Sequence, residues 1–284
     1  MQLFKKALRI IGLILLFLFL TALTQVGGLI LLLFLLIWKR LINKIERLKT
    51  ARSIYRNGIK AGSFLIFYLL ICLFIVPLLA RPFGRVPLPI NHANLQPLNI
   101  MTCLLNRHYV REELLNATLE AAAEMNKTYP GTTLAYLDAN FPFINKFPLL
   151  PHLSHNDGKK LDLAFFYRKT ESNEALNDAA PSFTGYGVFE EPRPLEENKP
   201  AFCSNHGYWQ YSILGSVVPQ WNKSAYTFDQ ERTKRMLEIL CQHQSIGKIF
   251  IEPHLKKRMN LRSDKIRFHG CGAVRHDDHI HIQL

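Results

Sequence analysis

The chain contains neither a Gly-x-x-x-x-Gly-Lys phosphate loop nor a Gly-x-Ser-x-Gly turn. It therefore lacks the usual signatures of nucleotide hydrolysis and of serine-nucleophile chemistry. No two cysteines stand in Cys-x2-Cys spacing, which argues against a structural zinc ribbon or finger. No repeat recurs along the chain, so a solenoid is excluded. No basic stretch is interleaved with aromatics in the way a nucleic-acid surface requires. Charge itself is missing from two places: residues 10–38 and residues 61–80 hold no Asp, Glu, Lys or Arg.

Those two uncharged runs are dominated by Leu, Ile, Phe and Val. Each is long enough for the roughly 20 residues that cross a bilayer. Pro77 is compatible with a membrane helix. Lys5, Lys6 and Arg9 precede the first run like the start of a signal peptide. The run is too long for a signal core, however, and no small-x-small cleavage site follows it. Gln25-Val26-Gly27-Gly28 interrupts the run, and a kink in one tilted helix is the preferred reading over a turn between two spans. Residues 39–60 hold eight Lys/Arg and one Glu, so this loop is expected in the cytoplasm. Everything after Arg81 is then expected outside, whether the first run crosses once or twice. Of the formal charge of +13, the first nine residues supply +3 and the loop +7, leaving +3 for residues 81–284. The basicity thus reads as an orientation signal and an attraction to anionic lipid, with the bilayer as partner and no nucleic acid. Cys103, Cys203, Cys241 and Cys271 all fall in the exported part, where up to two disulfides are expected with the pairing open.

Residues 1–80 accordingly read as a membrane anchor, 81–105 as a proline-containing linker, and 106–284 as one exported domain. Within it, helices are expected over residues 111–126, 227–242 and 254–259, the second opened by a Thr227–Gln230 capping box. Strands are expected over 133–137, from 161 onward, and over 248–251. Residues 168–201 are polar and read as a long surface excursion, a substrate wall or lid. The sum is an α+β fold, a small, mainly antiparallel sheet with flanking helices, preceded by a transmembrane helical region. Trp221 reads as a packing residue, and His254 and His269 as structural or surface residues.

The final stretch, His276-Asp277-Asp278-His279-Ile280-His281-Ile282-Gln283-Leu284, concentrates three histidines and two aspartates within six positions. Its alternation is that of a half-buried strand, which sets His279 and His281 on one face and Ile280, Ile282 and Leu284 on the other. A second cluster, His155-Asn156-Asp157-Gly158 followed by Asp162, places a histidine on a turn and a carboxylate at the start of a strand. With one imidazole from the terminal strand this gives two His and one carboxylate. That donor set leaves a fourth zinc position open for water and lowers the pKa of that water towards ~7.

These residues resemble the zinc peptidases that group lysostaphin-type, D-alanyl-D-alanine-cleaving and hedgehog-like domains. Their signature is His-x6-Asp, often with Gly three after the His, and a later His-x-His. His155, Gly158 and Asp162 match the first part, and His279 and His281 the second. His276-Asp277-Asp278-His279-Ile280-His281 is most similar to the penicillin-insensitive murein endopeptidases, as is Ser154 before His155. Ile280 departs from the aromatic residue often found between the two histidines. The resemblance runs from near Ser154 to the end of the chain. It implies His155, Asp162 and His281 as zinc ligands and His276 and His279 as catalytic residues beside the metal. Asp277 and Asp278 would orient an imidazole or stand as solvated turn acids. The activity it implies is hydrolysis of peptide bonds in peptidoglycan; the uncharged runs and the basic loop add the expectation of a multi-pass protein of the cytoplasmic membrane whose catalytic domain faces the periplasm or exterior. The alternative is a non-catalytic, zinc-stabilised, hedgehog-like domain that binds cell wall or a partner protein.

Overall fold

The computed structural model describes residues 2–45 and 53–284. Residues 46–52, part of the basic loop, lie outside the described residues.

The first apolar run forms two helices, α1 (Gln2–Thr24) and α2 (Gly27–Ile45), in place of the single kinked helix preferred from the sequence. Gln25 breaks the helix with φ of 65°, a left-handed conformation that an L-residue helix does not propagate. Ile10, Ile14 and Phe17 face Leu31, Leu32 and Leu35 across a shared groove, so the helices form an antiparallel hairpin. Gly28 allows the close approach, because a Cβ there would collide with Thr21 Oγ1 and the Phe17 carbonyl. At the tip, the Gln25 side chain accepts from the amides of Phe143 (2.8 Å) and Ile144 (3.2 Å), docking the hairpin on the folded domain.

Helix α3 (Ser53–Leu70) continues through a π-turn at Ile71–Ile75 into Val76–Ala80. The π-turn lies just before Pro77, whose missing N–H and ring disturb the i→i−4 ladder. The Tyr68 hydroxyl donates to the Leu104 carbonyl (2.7 Å), tying this helix to the domain as well. Gln2–Thr24 and Asn57–Phe83 are long and apolar enough to cross a membrane, and Leu3, Phe19, Phe74 and Leu78 are exposed on their surfaces.

The domain is α+β, built on a mixed six-stranded sheet. Its strands are β1 (Leu95–Pro97), β2 (Leu134–Tyr136), β3 (Lys160–Ala164), β4 (Lys248–Phe250), β5 (Ile266–Arg267) and β6 (His279–Gln283), in the order β5-β4-β6-β3-β2-β1. The three inner pairings are antiparallel and the two outer ones parallel. The expected antiparallel character therefore holds for the middle of the sheet only. Parallel neighbours need a crossover: α4 (Glu112–Thr128) lies between β1 and β2, and the short helix Pro253–Arg258 between β4 and β5. Residues 81–105, read from sequence as a linker, instead carry β1 and the buried Leu88 and Leu95. Prolines at a sheet edge were mistaken there for an extended tether.

A second helix, α5 (Gln230–Gln242), packs near α4. Its cap is Asp229, whose side chain accepts from the Arg232 amide, and not Thr227, which sits in the strand Tyr226–Phe228. Leu161, Leu163, Ile280 and Ile282 point into the main core with residues of α4 and α5. Strand alternation sends Asp162, His279 and His281 to the other face. One face of the sheet holds the fold together, and the other carries the polar groups.

His108 is buried with no acceptor for Nδ1 among the described residues. Burial lowers its pKa to about 3. Below the ordinary value near 6.5 the unfolded chain takes up a proton that the folded chain refuses, so stability is complete above that pH and falls as pH drops towards 3. One such group gives a slope of at most about 1.4 kcal/mol per pH unit. Melting temperatures of wild type and His108→Leu between pH 7 and 4.5 should converge as the pH falls; parallel curves would contradict this assignment.

Candidate metal centre

Strands β3 and β6 pair so that His281 lies directly across from Asp162, and His279 across from Ala164. Directly opposed side chains in an antiparallel pair are neighbours on one face. His281 Nδ1 is accordingly 2.9 Å from Asp162 Oδ1. His155 comes from the loop before β3. Its Nδ1 lies 2.7 Å from the carbonyl of Ala139, just beyond β2. A carbonyl only accepts, so Nδ1 carries the proton and a neutral His155 presents the Nε2 lone pair. That Nε2 lies 3.0 Å from His281 Nδ1 and 3.2 Å from Asp162 Oδ1.

Two nitrogens and a carboxylate oxygen thus meet at one point, a group that can hold a metal ion. The three residues are at most 2 % exposed. Ligand atoms about 2.0–2.2 Å from a tetrahedral zinc stand roughly 3.3 Å from one another, so the observed spacing fits with small outward shifts. Asp162 is held well below the usual carboxylate range: burial works against this, and the His155 and His279 imidazoles outweigh it. Burial lowers His281 to about 4, although Asp162 opposes it, so this imidazole is neutral near pH 7 and its lone pair is available.

Four further imidazoles, His279, His276, His269 and His152, surround the group. His279 Nδ1 makes a short contact with Asp278 Oδ1, and Asp278 Oδ2 accepts from the Gly187 amide (2.6 Å). His279 Nε2 is buried without a hydrogen-bond partner among the described residues, 3.7 Å from Asp162 Oδ2. Burial opposes protonation of His279, but Asp278 and Asp162 outweigh it and raise the pKa to about 9. The His276 ring centre lies 4.9 Å from that of His279 and 5.7 Å from that of His281. Burial, together with His279, holds His276 well below its ordinary value. The ring centre of the exposed His269 lies 5.4 Å from that of His276.

His152 and Tyr186 were missed in the sequence. His152 Nδ1 lies 3.1 Å from Asp138 Oδ2, and its Nε2 is buried without a partner among the described residues. The Tyr186 hydroxyl donates to Asp162 Oδ2 (2.8 Å), and its ring packs against His152 and His279. The His-x2-His spacing of residues 152 and 155 was a visible signal for the first. Tyr186 had none, being one aromatic in the long polar excursion. Of the two acids ahead of the terminal strand, Asp278 contacts an imidazole of the group, whereas Asp277 pairs with Arg275 (2.9 Å from Nε).

Other expectations fall differently. A single disulfide is present among the described residues, Cys203–Cys271, tying the helix Lys199–Asn205 to the loop that leads into His276. Cys103 and Cys241 are free. Trp221 is 86 % exposed and does not pack, whereas His254 is fully buried and Nε2 lies 2.7 Å from the Glu190 carbonyl.

No family model matches the chain and no curated protein matches it, so its function is argued from the residues of this centre.

Gly158, between His155 and Asp162, has φ of 80°, and a Cβ there would lie 2.5 Å from the Arg85 guanidinium. Gly158→Ala should therefore lower stability by roughly 1–3 kcal/mol, the scale of left-handed strain. It should also weaken metal binding. An unchanged melting temperature would contradict the steric argument.

Proposed function

We propose that the chain is a membrane-anchored zinc metallopeptidase that hydrolyses peptide bonds in peptidoglycan. The observation that carries this reading is the convergence of His155 Nε2, Asp162 Oδ1 and His281 Nδ1, ringed by imidazoles that a purely structural site would not need. The likeness of His155-x6-Asp162 and His276-Asp277-Asp278-His279-Ile280-His281 to the murein endopeptidase motifs supports the substrate class.

His155, Asp162 and His281 would hold a zinc ion, which would supply Lewis acidity and lower the pKa of a water towards ~7. His276 and His279 divide the proton work: the attacking water loses a proton to an imidazole, and the departing amine nitrogen gains one. Asp278 fixes the His279 ring through Nδ1, which directs Nε2 towards the centre. Ala139 does the same for His155. Tyr186 holds the second oxygen of Asp162 and so keeps Oδ1 turned to the ligand point. Beside the centre lies a cavity of about 260 Å³ whose lining is mostly apolar, with Met101, Leu105, Phe183 and Leu214, and which also carries Arg107, Asp138 and Tyr186.

Gln2–Thr24 and Asn57–Phe83 are read as crossings, and a third crossing by α2, whose apolar part Gly27–Trp38 is shorter, completes the proposed topology. It leaves the amino-terminal Lys5, Lys6 and Arg9 and the basic loop on the cytoplasmic side and the domain outside. The Cys203–Cys271 disulfide agrees with an oxidising compartment.

Deep burial of all three ligands favours the second reading, a non-catalytic zinc-stabilised domain that binds wall or a partner. Incubating the detergent-solubilised full chain with purified peptidoglycan separates the two readings. The expected result is released fragments with new amino termini by mass spectrometry, abolished by a chelator and restored by zinc. Binding to intact, uncut peptidoglycan by the zinc-loaded protein would establish the second reading instead.

A further inference from the structure

Outside the metal centre, a cavity of about 460 Å³ opens where the last apolar helix meets the domain, with Arg81, Arg85 and Arg111 on its walls. Arg81 follows the apolar run directly, and the neighbouring Leu78, Leu79 and Phe83 are all more than half exposed. Arg85 is the unusual member. It is 1 % exposed, and Nη2 donates to Asn145 Oδ1 (2.6 Å), but Nε and Nη1 have no acceptor among the described residues. A guanidinium never gives up its charge at physiological pH. A buried one with two idle donors therefore requires an acceptor.

Among the described residues no carboxylate pairs with it. The nearest acid, Asp157, is engaged by Lys160 Nζ (2.7 Å) and the Lys159 amide (2.9 Å). Glu112 and Glu113 line the cavity but lie exposed in solvent. Their backbone belongs to the first turn of α4, where amides have no intrahelical acceptor and the helix dipole favours an anion. Arg111 Nε donates to the Asp157 carbonyl (3.3 Å), which holds its guanidinium over Gly84.

We infer that Arg81, Arg85 and Arg111 form a binding site for the phosphate group of a membrane lipid. Guanidinium groups match phosphate oxygens two at a time. The cavity sits at the depth of lipid headgroups, a placement that rests on reading residues 61–80 as a membrane span. The occupant is then an anionic phospholipid whose chains lie along the exposed Leu78 and Leu79. Arg85 also packs on Gly158, inside the loop between His155 and Asp162, so an occupied site would brace the loop that carries two of the candidate ligands.

The test uses the full chain in neutral detergent and native mass spectrometry. Dioctanoyl phosphatidylglycerol, dioctanoylglycerol and inorganic phosphate are titrated separately. One phosphatidylglycerol should be retained per chain and no dioctanoylglycerol. The affinity should fall by at least about tenfold in Arg81→Gln and in Arg111→Gln, the loss of a charge-assisted contact. Arg85→Gln should lose more, and the two rim variants keep the question answerable if that one fails to fold. Zinc content unchanged in the rim variants separates this site from the metal centre. Equal retention of dioctanoylglycerol, or undiminished phosphatidylglycerol binding in the rim variants, would overturn the inference. Inorganic phosphate binding as tightly as the lipid would overturn the headgroup assignment and leave a free-anion site.

Discussion

His281→Ala and Asp162→Ala should each lose zinc and peptide hydrolysis together. Structural zinc binding of about 10–16 kcal/mol is shared among the ligands, so the loss of one corresponds to an affinity weakened by about 10²–10⁴-fold. The two variants should differ in stability. His281 leaves behind Asp162, whose carboxylate still has His155 and the Tyr186 hydroxyl. Asp162→Ala leaves the buried Tyr186 hydroxyl without that acceptor and removes one of the carboxylates that keep His279 protonated, so it should also unfold at lower temperature. Zinc analysis by plasma mass spectrometry, fragment release from peptidoglycan and thermal melting read the three effects separately. Hydrolysis at wild-type rate by either variant would contradict the ligand assignment.

His279→Ala should behave in a different way: zinc retained, hydrolysis reduced by about 10²–10⁴-fold, the usual worth of a positioned acid-base group. His279 stands 3.7 Å from the far oxygen of Asp162 and is not among the three converging ligand atoms. Its contact with Asp278 makes a second comparison possible. Asp278→Asn keeps the shape of the contact but weakens the orientation of the ring, and should cost about 10–100-fold, as the loss of a partner that orients a metal-site histidine commonly does. Loss of zinc from His279→Ala, on the other hand, would move His279 into the ligand set and displace His281 from it.

The centre was legible because strand periodicity determines which side chains share a face. His279 and His281 alternate with Ile280 and Ile282, and the sheet indeed divides them between polar face and core. The register that sets His281 against Asp162 was not legible, since pairing depends on contacts distant in sequence. Tyr186 and Asp138 reach the centre through the fold alone and carry no local pattern. The helix 112–128 is visible from its apolar spacing and 230–242 from a capping-box pattern, but the cap of the second lies two residues further on, because Thr227 belongs to a strand. The hairpin in the first apolar run was the clearest misreading. Gln25-Val26-Gly27-Gly28 marks a break in the sequence, yet its consequence depends on the close helix contact that Gly28 permits. The edge strand at residues 95–97 was hidden by Pro97 and the prolines before it, Pro87 and Pro89.

The most direct measurement is the zinc content of the full chain after equilibration with trace zinc and removal of excess, compared with His155→Ala and His281→Ala. One zinc per chain in the wild type and none in either variant is the predicted result. A wild-type chain that binds no zinc, or variants that bind as much as the wild type, would contradict the account at its base.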